Sequence, residues 1–477
     1  MSIVQPARSW QRTKIVCTLG PATDPAGVLE ELVRYGMDVA RINMSHGTHA
    51  DHGVRIDRVR AVSRALSQPV AILADLPGPK FRIGALEGGS RKLHDGMMVF
   101  LTADAGGPEC LPVRHPELLD ALRAGELVYL ADGSIELRVK TTSADHVACE
   151  VAVGGTVRSG SGINVPESEL PALVPTDEDR RHIAFAVSRG VDWMGVSFVQ
   201  SAEDLQRVRA CVPDGYMPLL MAKIEKRRAL ENLDRIIEAA DGVMVARGDL
   251  GVETDLAEIP LVQKRIIAAA NAKGRPVVTA TQMLESMVEH EHPTRAEVTD
   301  VANAVLDGTD AVMLSAESAV GRHPASAVRI LQRVLAATEA EYATRIAAAR
   351  LQDAASVGTE QALAFAACQL AERLRAKAIV TRVSNHVMPN AIARFRPAAP
   401  IIALSTADTL CSSLAMVRGI SPLHTHEADK GAADIARARD WLVDVTLARP
   451  GDLAVAVSQS TDATVTPDTL QVLTLPT

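Results

Sequence analysis

The sequence predicts an α/β protein built on a (β/α)8 TIM barrel, with an all-β lid domain inserted into the barrel and an α/β domain after it. Hydrophobic residues make up 47% of the 477 residues and aromatic residues only 3%, so aliphatic side chains must fill a large core. Short apolar runs typical of buried strands alternate with helical segments, three times before the insertion and five times after it. Eight such units over about 250 residues match one barrel. A doubly wound open sheet is the alternative.

Each predicted barrel strand is an apolar run bounded by turn or helix-start signals. In chain order the strands are Thr13–Gly20, Val39–Ser45, Pro69–Leu76, Trp193–Phe198, Leu219–Glu225, Gly242–Ala246, Pro276–Thr281 and Ala311–Ser315. Helix starts support the segments between them. Thr294 and Glu297 form a capping box, and Thr176 begins an acidic variant of the same motif. A long helix is expected from about Pro324 to Arg350.

The alternation of strand and helix stops between residues 77 and 166. Short strand-like runs separated by Gly, Asp and Ser turns occupy this part of the chain, namely Met98–Thr102, Leu127–Leu130, Ile135–Val139 and Val147–Val153. Closely spaced short strands without helices are typical of a small β-barrel or sandwich. We therefore expect a lid domain over residues 77–166 and a barrel formed by residues 1–76 and 167–345.

A new strand-and-helix pattern follows the predicted barrel. Its expected strands lie near Ala378–Thr381, Ile401–Leu404, Trp441–Thr446 and Leu453–Val457. This alternation predicts an open α/β sheet with helices packed on it. We place this C-terminal α/β domain at residues 346–477.

Composition excludes several classes of protein. The formal net charge of −8 argues against a general nucleic-acid partner. The six cysteines are scattered without a CxxC pair, which favours a reduced, cytoplasmic protein over a disulfide framework or a zinc site. Residues 1–11 contain no apolar signal-peptide core, and no run of about 18 apolar residues predicts a membrane span.

Polar side chains collect where the predicted barrel strands end. Because active sites of (β/α)8 barrels lie at the carboxyl ends of the strands, these groups are expected to face one mouth. A single strand-end Asp or Ser is more often a helix cap than a catalyst, but here seven of the eight strands end in ionisable or hydroxyl groups. The strand-end candidates are Thr18, Arg41, Asn43, Ser45, Asp75, Lys223, Glu225, Asp249, Thr281, Ser315 and Glu317.

The predicted mouth has the chemistry of phosphoryl transfer. Two carboxylates from adjacent strands, Glu225 and Asp249, form a hard-cation site suited to Mg²⁺ or Mn²⁺ when substrate oxygens and waters complete it. Arg41, Lys223 and Arg82 would add positive charge beside that metal. Cations around a divalent metal stabilise a migrating phosphoryl group, whose transition state spreads negative charge over three oxygens.

Backbone amides provide a second kind of anion site. If a helix begins at Gly248–Asp249, its free N–H groups can hold a substrate carboxylate. The sequence contains no G-x-x-x-x-G-K-[ST] phosphate loop, so a bound nucleotide would be held in another way.

The chain resembles the pyruvate kinases over essentially its full length. The matching blocks occur in the family's order, at residues 17–21 (CTLGP), 40–49 (ARINMSHGTH), 222–225 (AKIE), 244–253 (MVARGDLGVE), 280–287 (ATQMLESM) and 293–308 (PTRAEVTDVANAVLDG). Six ordered blocks are far more specific than any single short motif. The resemblance implies transfer of the phosphoryl group of phosphoenolpyruvate to ADP, giving pyruvate and ATP in the last step of glycolysis. It also implies a homotetramer whose C-terminal domain serves regulation and oligomerisation.

The resemblance also implies roles for individual residues. It assigns the metal to Glu225 and Asp249, the substrate phosphate to Arg41, the transferring phosphoryl group to Lys223, and a lid-borne phosphate contact to Arg82. It assigns the substrate carboxylate to Thr281 with the amides of Gly248 and Asp249, the proton relay to Thr281, Ser315 and Glu317, and nucleotide contacts to Pro21, Asn43, His46 and Arg82.

Position 80 departs from the branch of the family that needs K⁺. Those members bind K⁺ at the positions of Asn43, Ser45, Asp75 and the backbone of Leu76, with a glutamate where this chain has Lys80. The K⁺-independent branch carries lysine at this position. An ammonium group there replaces the charge of the monovalent cation. We therefore expect an enzyme that does not require K⁺.

Two further stretches differ from the family pattern. Gly160 and Ser161 stand where members often carry basic residues that touch the nucleotide, and Arg158 is the nearby basic residue. The last loop, 458–469, lacks the Gly-rich basic run expected for fructose 1,6-bisphosphate. A possible site for a different sugar-phosphate or nucleotide effector consists of Thr381, Arg382, Ser384 and Asn385, for which a plain strand–helix turn is the alternative.

Two other functions remain open at this point. One is a different metal-dependent (β/α)8 enzyme acting on phosphoenolpyruvate or a pyruvate enolate, such as an aldolase. The other is a catalytically silent regulatory protein on the same fold. Retention of Lys223, Glu225, Asp249, Arg41 and Thr281 together disfavours the second.

Overall fold

The computed structural model describes residues 11–104, 106–131, 133–168, 174–213, 215–352, 358–426, 432–445, 447–458 and 469–475. Eight parallel strands close into a barrel, in which each strand pairs with its neighbours in sequence and the first pairs with the last. Their bounds are Lys14–Thr18, Met37–Asn43, Ala71–Asp75, Trp193–Val196, Leu219–Ile224, Gly242–Ala246, Val277–Ala280 and Ala311–Leu314. The closed ring confirms the predicted barrel, and the alternative of an open sheet is wrong.

Helices surround the barrel and cover its strands. Their bounds are Val28–Arg34, His49–Leu66, Asp177–Ser188, Ala202–Ala210, Arg227–Glu231, Leu233–Ala239, Arg247–Glu253, Ile259–Ala272, Arg295–Asp307, Ala316–Ala319 and Pro324–Gln352, with short 3-10 turns at Pro21–Thr23 and Glu285–Val288. The predicted capping boxes are present. The Thr294 hydroxyl accepts the Glu297 amide at 3.3 Å, and the Thr176 hydroxyl accepts the Asp179 amide at 3.0 Å. Among the described residues, no helix is long and apolar enough to cross a membrane.

A β-rich domain is inserted between the third and fourth barrel strands. Its main sheet has six strands, in the spatial order Ile163–Asn164, Leu127–Leu130, Ile135–Thr142, His146–Val153, Met98–Thr102 and Cys110–Pro112. A two-stranded sheet pairs Ser90–Leu93 with Gly155–Arg158, and a short helix spans Glu117–Ala121. The domain has its own hydrophobic core, separate from that of the barrel. This inserted domain is called the lid below.

The C-terminal domain contains a five-stranded sheet. Its spatial order is Ile420–His424, Ile401–Ser405, Ala378–Arg382, Leu453–Ser458 and Thr469–Thr474, of which only the last strand is antiparallel to its neighbour. The helices of the domain are Thr359–Leu374, Val387–Arg394, Asp408–Leu414 and Ala432–Asp444. The open α/β sheet confirms the predicted class of this domain.

One strand prediction in the C-terminal domain is wrong. The described part of the run from Trp441 belongs largely to the helix Ala432–Asp444, and Thr446 lies outside the described residues. Ala438 and Leu442 are buried four residues apart, which is the spacing of one helix face. The strand Ile420–His424 takes the place in the sheet. Its Pro422 and short length weakened the strand signal there.

The C-terminal domain closes the amino-terminal end of the barrel. Met416 and Ala415 are buried in one cluster with side chains from inside the barrel. The indole N–H of Trp193 donates to the Ser413 carbonyl at 3.0 Å. The opposite mouth, where the strands end, is therefore left for polar groups.

A buried ion pair fastens the two domains at this end. The Arg396 guanidinium lies 2.6 Å from Asp310 Oδ1 and 2.7 Å from Asp310 Oδ2, and it also donates to the Gly308 carbonyl at 2.9 Å and to Asn271. Both side chains of the pair are almost fully buried. A buried carboxylate that loses its partner cannot recover full hydration.

We expect Arg396→Ala to lower the free energy of unfolding by about 3–5 kcal/mol, because it leaves the Asp310 carboxylate buried without its counter-ion. Urea unfolding followed by circular dichroism measures this difference. Arg235→Ala is the control, since Arg235 pairs with Glu203 on the exposed surface and its loss should leave the unfolding midpoint unchanged. Equal midpoints for Arg396→Ala and Arg235→Ala would contradict the role given to the buried pair.

Candidate active site

A polar cavity of about 100 Å³ lies at the carboxyl ends of the barrel strands. It brings together most of the predicted strand-end residues. Those that line it are Arg41, Asn43, Ser45, His46, Asp75, Lys80, Lys223, Glu225, Asp249, Thr281 and Ser315. Residues separated by up to 274 positions thus converge on one volume, as the barrel topology predicts.

Asp75 ties together the two cations of the cavity. Its Oδ2 accepts from Arg41 Nε at 2.7 Å, and its Oδ1 lies 3.1 Å from Lys223 Nζ. Arg41 also donates to the Thr18 hydroxyl at 2.9 Å. Burial by itself would raise the pKa of Asp75, but Lys223 and Arg41 outweigh it and lower that pKa below its ordinary value. Asp75 is therefore a charged anchor that orients both cations.

Lys223 is a buried ammonium held on three sides. Besides Asp75, its Nζ contacts Glu225 Oε1 at 2.8 Å and donates to Ser197 Oγ at 2.7 Å. Burial favours the neutral amine, yet the two carboxylates Asp75 and Glu225 raise the pKa of Lys223 above its ordinary value. Lys223 is thus a fixed positive charge at neutral pH.

Glu225 and Asp249 present two carboxylates to the same cavity. Glu225 is 1% exposed and its Oε2 accepts the Phe198 amide at 2.7 Å. The pKa of Glu225 is raised, and burial is the largest cause. The charge of Lys223 lowers this pKa, and the charge of Asp249 raises it. A cation bound between two carboxylates offsets the negative charge by which each raises the pKa of the other. Among the described residues no group of three or more His, Cys, Asp or Glu is arranged to hold a metal.

The loop after the seventh strand is held in a strained conformation. Thr281 and Gln282 have φ angles of +66° and +53°, a region that side chains with a branched Cβ rarely adopt. Arg247 holds this loop by donating to the Thr281 carbonyl at 2.6 Å, while the same guanidinium pairs with Asp300 at 2.6 Å. The Thr281 hydroxyl accepts the Gly248 amide at 2.8 Å. The strain is compatible with a functional position for Thr281.

Glu317 supports Ser315 from behind the cavity wall. Its Oε2 accepts the Ser315 amide at 2.7 Å and its Oε1 accepts the Leu284 amide at 3.1 Å. Burial raises the pKa of Glu317. The two residues form a connected pair of which only Ser315 lines the cavity.

Some predicted site residues do not line the cavity. Arg82 donates to the Gly160 carbonyl within the lid at 2.9 Å, and Pro21 lies in an exposed turn after the first strand. The remaining ones are Gly248 and Glu317, which touch cavity residues, and the effector candidates Thr381, Arg382, Ser384 and Asn385, which belong to the C-terminal domain.

Ser197 belongs to the site and was missed in the sequence. It follows the fourth strand, the one strand for which no polar end group had been noted, and its hydroxyl bridges Lys223 and the Leu76 carbonyl, the latter at 2.7 Å. A hydroxyl directly after the buried run Trp193–Val196 was an available signal. The fourth strand thus contributes to the cavity, as do six of the other seven strands or the segments directly after them.

The comparisons with known proteins agree with this geometry. Residues 10–328 match the family model described as the barrel domain of pyruvate kinase, and residues 361–473 match the model of its alpha/beta domain. The chain belongs to the pyruvate kinase family. The pyruvate kinase of Mycobacterium tuberculosis is 40% identical over 95% of this chain and 96% of its own length. That of Geobacillus stearothermophilus is 38% identical over 93% of this chain and 77% of its own length.

A solved structure extends the agreement to three dimensions. The crystal structure of a pyruvate kinase from Cryptosporidium parvum superposes with a TM-score of 0.91 at 34% identity, covering 98% of this chain and 96% of the other. As a pyruvate kinase, the chain transfers the phosphoryl group of phosphoenolpyruvate to ADP and yields pyruvate and ATP. The comparisons therefore favour this reaction over the alternative, a different metal-dependent enzyme acting on phosphoenolpyruvate.

We expect Asp75→Asn to destabilise the protein more at neutral pH than in acid. A carboxyl whose pKa is lowered in the folded state adds stability above its ordinary pKa of 3.8, and this is lost as the pH falls through the lower folded value. The difference in unfolding free energy between wild type and Asp75→Asn should therefore be largest near pH 7 and shrink below pH 4. Urea unfolding at both pH values measures it, and an equal difference at the two would rule out the ionised anchor.

Proposed function

We propose that this pyruvate kinase works through a divalent metal held by Glu225 and Asp249, with Lys223 as the cation that stabilises the phosphoryl group in transfer. The observation that carries the proposal is the Lys223 ammonium, which is buried between two carboxylates and faces the cavity that Asp249 also lines. A bound Mg²⁺ or Mn²⁺ would neutralise phosphate charge and align the oxygens of the two substrates. All other roles proposed here belong to side chains and amides of the chain itself.

Arg41 and Lys223 would bind the phosphate of phosphoenolpyruvate. Both cations are oriented by Asp75, so little reorganisation is needed when charge develops on the phosphoryl oxygens. Thr281, with the amides of Gly248 and Asp249, would bind the substrate carboxylate. The existing contact between the Gly248 amide and the Thr281 hydroxyl supports placing them in one subsite.

The enolate formed on phosphoryl loss must take up a proton. Thr281 lies at the cavity with Ser315, and Glu317 contacts the Ser315 amide. We assign the proton relay to these three residues. Burial raises the pKa of Glu317, which makes this carboxyl a better proton carrier than an exposed one.

The nucleotide would lie toward the lid. Asn43 and His46 line the cavity on the side of the second strand, and we add Pro21 and Arg82 as further nucleotide contacts. Arg82 now bonds to Gly160, so it would have to change partner to reach a phosphate. Arg158, exposed at the end of a lid strand, would supply the basic contact that Gly160 and Ser161 do not.

Assembly and regulation form the coarsest part of the proposal. We infer a cytoplasmic homotetramer, with domains at residues 1–76 and 167–345 (barrel), 77–166 (lid) and 346–477 (regulation and oligomerisation). The six free cysteines fit a reduced compartment and the separate hydrophobic cores fit the domain division, while the tetramer rests on the family resemblance alone. The effector candidates Thr381, Arg382, Ser384 and Asn385 follow a C-terminal strand, and Asn385 Oδ1 also accepts the Val387 amide at 2.9 Å. That contact equally fits a plain helix-capping turn.

We expect Lys223→Met to lower kcat by at least about 10³-fold, because it removes the charge that stabilises the transferring phosphoryl group. Release of pyruvate, followed with lactate dehydrogenase and NADH in the presence of ADP, measures turnover. Binding of Mn²⁺ should stay close to wild type, since Glu225 and Asp249 are retained, and phosphoenolpyruvate should still bind through Arg41 and the carboxylate subsite, although more weakly. Unchanged turnover would remove Lys223 from the mechanism.

We also propose that the enzyme belongs to the K⁺-independent branch. Lys80 is exposed and lines the cavity together with Asn43, Ser45 and Asp75, the positions at which K⁺-dependent members bind the ion. An ammonium at this place supplies the positive charge that K⁺ supplies elsewhere.

Activity should therefore persist in a K⁺-free, Tris-buffered assay, with little further activation by K⁺. Lys80→Glu should lose most of this activity and regain it when K⁺ is added, because the exchanged charge recreates a need for a monovalent cation. Lys92→Glu, on an exposed lid strand, is the matched control for a charge reversal of the lid surface. A large, saturable K⁺ activation of the wild type would refute the branch assignment.

A further inference from the structure

A buried ion pair connects the two chain segments that carry the candidate metal ligands. Lys226 directly follows Glu225, and Glu253 lies four residues, about one helical turn, after Asp249 in the helix Arg247–Glu253. Lys226 Nζ lies 2.5 Å from Glu253 Oε1, and the two side chains are 11% and 1% exposed. Because the pair is shielded from water and salt, it holds the two segments at a defined separation.

The lid contacts the same carboxylate. Asn164 Nδ2 donates to Glu253 Oε1 at 3.1 Å, so this oxygen accepts from both Lys226 and the lid. Asn164 belongs to the lid sheet, where its strand pairs with Tyr129. Gly133 of the lid also lies beside this helix, since a Cβ built on Gly133 would be 3.6 Å from the Val252 side chain. The lid therefore contacts the helix that contains Asp249.

The entry segment of the lid is seated beside the other ligand. A Cβ on Gly78, which has a φ of +66°, would lie 2.9 Å from the side chains of both Ser197 and Phe198, so the lid can pack here only with glycine. The Phe198 amide in turn donates to Glu225. The Lys226 ammonium lies 5.7 Å from the centre of the Phe198 ring. The two regions of the lid that approach the barrel thus lie beside the residue that donates to Glu225 and beside the helix that contains Asp249.

We propose that Glu253 is a positioning residue, which sets the separation of the Glu225 and Asp249 carboxylates through Lys226 and couples that separation to the lid through Asn164. Glu253 itself does not line the cavity. The inference rests on the proposed metal ligands and adds to them a residue that acts only through its neighbours. Groups that orient metal ligands affect metal binding even when they touch neither metal nor substrate.

The first test is the double variant Lys226→Met/Glu253→Gln, which removes both charges at nearly constant volume and leaves an amide facing Asn164. The dissociation constant of Mn²⁺ without substrates, measured from the electron paramagnetic resonance signal of free Mn²⁺, should rise about tenfold. The matched control is Lys273→Met/Glu238→Gln, the same substitutions in an exposed pair on outer helices, which should bind Mn²⁺ like wild type. A dissociation constant within twofold of wild type in the folded double variant would overturn the proposal.

Asn164→Ala tests the coupling to the lid and keeps the ion pair, so the protein is expected to fold. Its Mn²⁺ affinity without substrates should equal that of wild type. The increase in Mn²⁺ affinity caused by phosphoenolpyruvate should be smaller than in wild type, because the variant lacks the hydrogen bond between the lid and Glu253. An unchanged increase would overturn the coupling through Asn164.

Glu225→Gln and Asp249→Asn separate this inference from the proposed function. Both should lose most Mn²⁺ binding if these residues are the ligands. Wild-type Mn²⁺ binding in these two variants would overturn the metal assignment and with it the role of Glu253. If they lose binding while Lys226→Met/Glu253→Gln retains it, the metal assignment stands and the positioning role is wrong.

Discussion

The active site depends on one buried ammonium. Lys223 Nζ lies 3.1 Å from Asp75 and 2.8 Å from Glu225. These two carboxylates offset the desolvation cost of burying the ammonium charge. The same contacts orient Arg41 on one side and Glu225 on the other. A site in which the charges already face each other needs little rearrangement as negative charge moves between two small molecules, which is the physical requirement of phosphoryl transfer.

The two ends of the barrel differ in what covers them. At the amino-terminal end, Met416 and the Arg396–Asp310 pair join the C-terminal domain to the barrel through buried contacts. At the carboxyl end, the strand termini leave a polar cavity. Because buried contacts hold one end rigid, polar and strained groups such as Thr281 are tolerated at the other.

The lid is attached where its position can influence the chemistry. Its entry segment packs on Ser197 and Phe198, and its last strand contacts Glu253 through Asn164. The Phe198 amide donates to the Glu225 carboxylate, and Glu253 lies in the same helix as Asp249. The proposed coupling through Glu253 would let the lid influence the geometry of the site without contributing a metal ligand. Lys80, placed between the lid and the cavity, adds a fixed charge at the same junction.

The sequence by itself determined the eight βα units, the capping boxes and all polar residues of the cavity except Ser197, because strand periodicity, caps and strand-end polar groups are local signals. It did not identify Ser197, whose hydroxyl matters only because Lys223 comes within 2.7 Å of it. It misjudged the helix Ala432–Asp444 and missed the strand Ile420–His424, where packing against the sheet outweighs local preference. The pairing of Lys226 with Glu253 and Asn164 was likewise decided by tertiary structure alone, since contacts between residues 27 and 89 positions apart leave no periodic trace in the chain.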